Sequence, residues 1–149
     1  LAVRWPGVTA PGTVCATPVA CEDLFATLCR AGGADASCED GQDLTPLLRG
    51  EPPTKALHER ELFWHYPHYN KHPQSAPVSI VRRGKWKLIE CLEREEFELY
   101  DLEDDIGEKR NLAAKETKLV NELNEVLQGW KRRVGAEAMK PNPQFREKR

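Results

Sequence analysis

Residues 78–102 read VSIVRRGKWKLIECLEREEFELYDL, and the fold prediction starts from this stretch. Its connections are short, as at Arg83-Gly84, and short connections favour antiparallel hairpins because parallel strands need long crossovers. The stretch therefore predicts an antiparallel meander. Its strands are rich in β-branched and aromatic residues and lie at 78–81, 85–91 and 97–102. An earlier aromatic run at 60–69 predicts a further strand that continues into a loop.

The apolar residues that follow the meander recur at the spacing of one helical face, with charged residues between them. Within the meander, Trp86 and Leu88 share one face of their strand, as Phe97 and Leu99 do on the next. One side of the sheet therefore needs a cover, which the helix is predicted to supply before it ends near Gly135. The apolar residues of this helix are Leu119, Val120, Leu123, Val126, Leu127, Trp130 and Val134.

The N-terminal part of the chain predicts shorter elements. Residues 1–7 (LAVRWPG) have the composition of a short strand that runs into a turn. A short amphipathic helix is predicted at 21–31, and the proline-containing segment 51–54 marks a junction. The apolar face of that helix carries Leu24, Phe25 and Leu28.

Together these patterns predict an α+β chain. A short N-terminal strand and helix come first, and an antiparallel sheet packed by a C-terminal helix follows. We expect one domain over residues 1–55 and a second over residues 56–149.

Composition limits the classes of partner. With 22 basic and 24 acidic residues the chain lacks the positive field that nucleic-acid binding requires, so we expect no nucleic-acid partner. No apolar run approaches the roughly 20 residues of a membrane span, so no membrane partner is expected. The chain begins with Leu1 and its single methionine is Met139, which suggests a piece of a longer protein.

Several sequence blocks occur in a fixed order along nearly the whole chain. They are VRWPG at 3–7, DLFATL at 23–28, LLRG at 47–50, FWH at 63–65, IVRRGKWKLI at 80–89, ELYDLEDDIGE at 98–108 and NL at 111–112. In this order they resemble the C-terminal part of the sulfatases, a family that includes the arylsulfatases and iduronate-2-sulfatase-like enzymes.

The resemblance implies a sulfuric ester hydrolase with an alkaline-phosphatase-like α/β fold. It places residues 1–55 at the end of the catalytic domain and residues 56–149 in a C-terminal subdomain with a four-stranded antiparallel sheet and a helix. The intact parent is expected to act on a sulfated glycan, and to use calcium and a formylglycine made from Cys/Ser-x-Pro-x-Arg. The expected partner of this chain is the N-terminal catalytic domain.

The formylglycine motif does not occur in the sequence. Residues 15–19 (CATPV) have proline one place late, and residues 75–79 (SAPVS) have serine in place of arginine. The resemblance therefore transfers no catalytic residue and no metal ligand, and we expect the fragment to bind no cofactor and to be inactive alone. Two alternatives are a free-standing carbohydrate-binding or interaction module and one half of a split sulfatase.

Histidines at 65, 68 and 72 are the candidate ligand-binding residues. On a helix this spacing would align metal ligands, but Pro67 disfavours a helix and an extended chain directs His65 and His68 to opposite faces. These two residues are instead predicted to contact substrate in the cleft of the intact enzyme, where histidine and aromatic side chains bind sugars. Packing at the subdomain junction is the alternative.

Two groups of charged residues have structural explanations. The acidic residues within 101–108 lack the spacing of a calcium-binding loop, and they are typical of a solvated turn after the last strand. The basic residues within 82–87 flank Gly84 and predict the exposed face of a hairpin. Calcium binding and sulfate binding are the respective alternatives.

Overall fold

A computed structural model describes residues 1–34, 40–69 and 76–140. The chain divides into two compact units, residues 1–60 and residues 61–149. Arg60 belongs to the first unit, where it forms an ion pair with Asp23. The assignment of residues 1–55 to the end of a catalytic domain stays a prediction.

The second unit contains the predicted meander. Its four strands are antiparallel and lie side by side in chain order. The register places Leu88 opposite both Val81 and Leu99, so three apolar residues form a row across one face of the sheet. The strands are β1 (Glu61–Tyr66), β2 (Val78–Arg83), β3 (Trp86–Cys91) and β4 (Glu96–Asp101).

A long helix, α4 (Thr117–Val134), covers that face and confirms the prediction. Gly135 ends it at a φ of +62°, a left-handed conformation that glycine adopts without a steric penalty. None of the helices in the described ranges combines the length and the apolar character that a membrane span requires. The buried core consists of Val81, Leu88, Leu99, Val120, Leu123 and Leu127.

The first unit contains three helices in its described residues: α1 (Glu22–Ala31), α2 (Thr45–Leu48) and α3 (Lys55–Glu59). The predicted strand at 1–7 is not formed. The N–H groups of Val8 and Thr9 instead donate to the Trp5 carbonyl at 3.0 and 2.9 Å, which closes a turn. A strand is stable only when a neighbour pairs with its backbone, and none of the described residues pairs with this segment.

Helix α1 is confirmed, and its apolar side is the more exposed one. The apolar side chains of Leu24, Phe25 and Leu28 are 37%, 61% and 70% exposed. The buried side of α1 consists instead of Asp23, Ala26 and Thr27. Helical spacing predicts the helix but not which side is buried, because buried hydrogen bonds hold the polar side inward.

Candidate functional site

His65 is built into the second unit. It lies on β1 opposite Ser79, and its Nδ1 is 2.9 Å from the Ser79 hydroxyl. Its Nε2 is 2.8 Å from the carbonyl oxygen of Glu137. A carbonyl only accepts, so Nε2 carries the proton, and in the neutral ring Nδ1 accepts from the serine. Both ring nitrogens therefore have partners within the unit.

The neighbours of His65 also lie on the face of the sheet that α4 covers. Ser79 is fully buried on the face of the sheet that α4 covers. On the same face of β1, the ring of Phe63 stacks on Trp130 of α4 with centroids 4.8 Å apart and planes 4° apart. His65 thus joins β1 and β2 to the segment that follows α4, which is a positioning role.

His68 lies in a different environment, beyond the end of β1. It is exposed, and its ring meets Tyr66 edge-on at a centroid distance of 5.6 Å. Trp64 and Tyr66 project from the face of the sheet opposite α4 and are 46% and 43% exposed. Trp64, Tyr66, His68 and Tyr69 are called the aromatic patch below.

Tyr69 completes the aromatic patch with a polar contact. Its hydroxyl donates to Glu93 at 2.7 Å, and this hydrogen bond raises the pKa of Tyr69. The structure thus separates the two predicted substrate-binding histidines, since His65 is held on the α4 side and His68 belongs to the aromatic patch. His72 lies outside the described residues.

The basic residues near Gly84 all have partners within the chain. Lys85 and Lys87 are each 2.7 Å from a carboxylate, of Asp101 and Glu108 respectively. Arg82 donates to the carbonyl of Gly84, and Arg83 pairs with a helix α4 glutamate. These contacts fit the predicted hairpin surface better than a sulfate-binding patch.

The acidic turn is likewise occupied by its own contacts. The hydrogen bond from Lys85 lowers the pKa of Asp101. Asp105 accepts from the backbone N–H groups of Lys109 and Arg110 at 2.8 and 2.7 Å. The carboxylates of Asp101 and Asp105 therefore have partners at the start of the loop after β4 and within it, as predicted for a turn.

The first unit contains a buried ion pair that no pattern in the sequence predicted. Asp23 is fully buried and accepts hydrogen bonds from the backbone of Ala20 and Gln42 and from both terminal nitrogens of Arg60. Burial by itself raises the pKa of Asp23, but the hydrogen bonds from Arg60, Ala20 and Gln42 outweigh it, and the net shift is downward. This ion pair is called the Asp23–Arg60 clamp below.

Comparison with known proteins gives the family. The model of the N-sulphoglucosamine sulphohydrolase C-terminal domain matches residues 1–133. The chain belongs to the sulfatases. A sulfatase of Formosa agariphila is 32% identical over 146 residues, which cover 87% of this chain and 26% of that protein.

Solved structures agree with this assignment. A putative sulfatase from Bacteroides thetaiotaomicron shares 29% identity with a TM-score of 0.61, over 82% of this chain and 27% of that one. A 2-O GAG sulfatase shares 30% identity with a TM-score of 0.60, over the same fractions of the two chains. This sulfatase chain thus spans about a quarter of the length of these relatives, and the family model that it matches describes a C-terminal domain. The similar solved structures are sulfatases of the alkaline-phosphatase-like fold.

Sulfatases in general use a formylglycine and a metal ion. The described residues do not fit the metal, since no group of three or more histidine, cysteine, aspartate or glutamate side chains among them could hold one. Asp101, Asp105 and Glu108 are already bonded to lysines or backbone N–H groups. No step of sulfate hydrolysis is therefore assigned to these residues.

Proposed function

We propose that this chain is the C-terminal part of a sulfuric ester hydrolase that acts on a sulfated glycan, and that hydrolysis needs the rest of the enzyme. The match of the sulphohydrolase C-terminal model to residues 1–133 carries the proposal. The glycan class is supported by the sulphoglucosamine named in that model and by the similar 2-O GAG sulfatase. Formylglycine and calcium would come from the part of the enzyme that this chain does not match.

We propose that the aromatic patch lines part of the substrate cleft of the intact enzyme. Trp64 and Tyr66 offer exposed aromatic faces on which a sugar ring can stack, and His68 offers a ring nitrogen for a hydroxyl or sulfate oxygen. His65 would act on substrate indirectly, because its contacts with Ser79 and Glu137 hold the strand that carries the patch.

A fusion protein tests this function. The chain would replace the matching C-terminal quarter of the Formosa agariphila sulfatase, and hydrolysis of sulfated glucosamine and sulfated uronate disaccharides would be measured. We expect the fusion to be active. His68→Ala should lower kcat/KM by about 10-fold or more, the effect of losing a hydrogen bond to a charged group.

His58 provides the matched control for His68. It lies on the short helix α3, is exposed, and His58→Ala should leave kcat/KM unchanged. An inactive but folded fusion would contradict the proposed function. An active fusion in which His68→Ala and His58→Ala have the same kcat/KM would show that His68 of the aromatic patch does not contact substrate.

The exposed aromatic patch also favours a second function, a free-standing carbohydrate-binding module. The 149-residue chain alone would then bind the same disaccharides, with NMR shifts centred on Trp64 and Tyr66. Such chemical-shift changes, together with an inactive fusion, would favour a free-standing carbohydrate-binding module over the C-terminal part of a sulfatase. Absence of such shifts would rule out the module for these sugars.

A further inference from the structure

The turn between β3 and β4 lies beside the aromatic patch. Tyr66 at the end of β1 is opposite Val78 of β2, and Val78 is opposite Cys91, the last residue of β3. The chain therefore turns back at the same end of the sheet where Tyr66 lies. The N–H of Leu92 in this turn donates to the carbonyl of Pro77 at 3.0 Å, just before β2 begins. This hydrogen bond fixes the turn next to the strand that pairs with β1.

The same turn brings a negative charge to the aromatic patch. Residues 92–95 read LERE. The guanidinium of Arg94 lies 3.2 Å from the carboxylate of Glu98, so its positive charge is directed toward β4. Glu93 is exposed and instead accepts a hydrogen bond from the Tyr69 hydroxyl at 2.7 Å. The carboxylate of Glu93 is therefore held against the Tyr69 end of the aromatic patch.

A carboxylate in this position discriminates between the groups that a sugar ring presents. An ionised carboxylate only accepts hydrogen bonds, so it binds the hydroxyl groups of a sugar. A sulfate ester has only acceptor oxygens and a negative charge, which the carboxylate repels. At a protein surface, the repulsion between two charges about 4 Å apart is large enough to change an affinity about 10-fold.

We propose that Glu93 determines specificity at the aromatic patch: it favours sugars that present hydroxyl groups beside Tyr69 and disfavours sugars that present a sulfate there. The inference rests on the proposed function, because it assigns a choice of sugar to the surface that is proposed to contact substrate. Specificity depends on repulsion of the wrong ligand as well as on attraction of the right one. A second sulfate on the sugar that stacks on the patch therefore weakens binding, and the sulfate to be hydrolysed lies away from Tyr69.

Glu93→Gln tests this role, because glutamine keeps the shape of the side chain and an oxygen that accepts from Tyr69 but lacks the charge. The variant would be made in the fusion described above, and kcat/KM measured for matched disaccharides with one sulfate or with a second sulfate on either ring. We expect the wild-type fusion to prefer the monosulfated sugar. For at least one position of the second sulfate, Glu93→Gln should raise kcat/KM by about 10-fold, and the monosulfated value should change by less than about 2-fold.

Glu95 provides the matched control. It is exposed in the same turn, and Glu95→Gln removes the same charge without touching the residue that Tyr69 holds, so the preference should change by less than about 2-fold. Salt gives a readout that a purely structural role of Glu93 would not change. Because salt screens surface charges, the preference of the wild-type fusion should fall between about 0.05 M and about 0.5 M NaCl, and the preference of Glu93→Gln should fall less.

Binding would be measured separately from hydrolysis, as the Kd of the fusion for the same sugars after removal of calcium with EDTA. A folded but inactive fusion whose Kd values change as expected with Glu93→Gln would support the role of Glu93 and contradict the proposed function. An active fusion whose preference is the same with Glu93→Gln, or changes equally with Glu95→Gln, would overturn the role of Glu93 and leave the proposed function intact. A folded fusion that does not hydrolyse these sugars, and whose Kd values do not respond to Glu93→Gln, would contradict both.

Discussion

At the scale of single residues, the Asp23 carboxylate determines how the first unit is arranged. A charge this deeply buried is tolerated only with partners, and Asp23 has two backbone donors and a bidentate arginine. Its Oδ1 and Oδ2 lie 2.6 and 2.7 Å from the Arg60 guanidinium. The clamp joins the start of α1 to the residue that ends the unit.

Loss of the Asp23 charge should destabilise the chain strongly. Asp23→Asn leaves Arg60 largely buried without a counter-charge, and we expect the free energy of unfolding to fall by about 3–5 kcal/mol. Urea unfolding followed by circular dichroism measures this. The neighbouring Glu22→Gln, on the exposed side of the same first turn, should change stability by less than about 0.5 kcal/mol.

The stability difference between wild type and Asp23→Asn should depend on pH. The folded pKa of Asp23 is lowered, so its contribution is complete above the unfolded pKa of about 3.9 and is lost as pH falls through the folded value. The stability gap between wild type and Asp23→Asn should therefore narrow as the pH falls below about 4. A gap that is constant from neutral to acid pH would show that the carboxylate charge is not the cause.

At the scale of elements, the sheet and α4 form the core of the second unit. Leu123 and Leu127 of the helix are fully buried against Val81, Leu88 and Leu99 of the sheet. The far face of the sheet exposes Trp64 and Tyr66 on β1, while Cys91 of β3 and Tyr100 of β4 are buried there. The α4 side of the sheet thus stabilises the unit. The exposed aromatic side chains on the other side are the proposed sugar contact.

Truncation of Leu123 should test the stabilising role of the α4 side. Leu123→Ala removes a fully buried side chain and leaves a cavity, so we expect a loss of about 2–5 kcal/mol in the free energy of unfolding. Val134, the last residue of the same helix, is 52% exposed, and Val134→Ala should cost far less. Equal losses for the two variants would mean that α4 does not cover the sheet as described.

At the scale of the whole molecule, the two units differ in how far their apolar side chains are buried. The second unit has a buried core between the sheet and α4. The first has three helices in its described residues and apolar side chains that point outward.

The isolated chain should not hydrolyse sulfate esters. With 4-methylumbelliferyl sulfate and added calcium, we expect no fluorescence increase above a heat-denatured sample, because no Cys/Ser-x-Pro-x-Arg sequence is present to supply the formylglycine. The fusion protein, assayed in parallel, provides the positive control. Hydrolysis by the chain alone would show that catalytic groups lie within these residues.

The meander, helix α4 and the family could all be predicted from the sequence. The periodicity of apolar residues predicts which residues are buried when an element packs on elements close to it in the chain. Leu88, Leu99 and Leu123 are examples. The sequence blocks likewise identified the C-terminal part of a sulfatase, which the family model confirmed.

The buried side of α1 and the contacts of His65 and His68 could be read only from the folded chain. Asp23 and Arg60 are 37 residues apart, and periodicity within a helix carries no information about a partner at that distance. The same holds for His65, whose nitrogens bond to Ser79 and to Glu137, 14 and 72 residues away. Where a polar contact between distant residues outweighs local apolar spacing, the side that a helix or strand buries follows from the contact and not from the pattern.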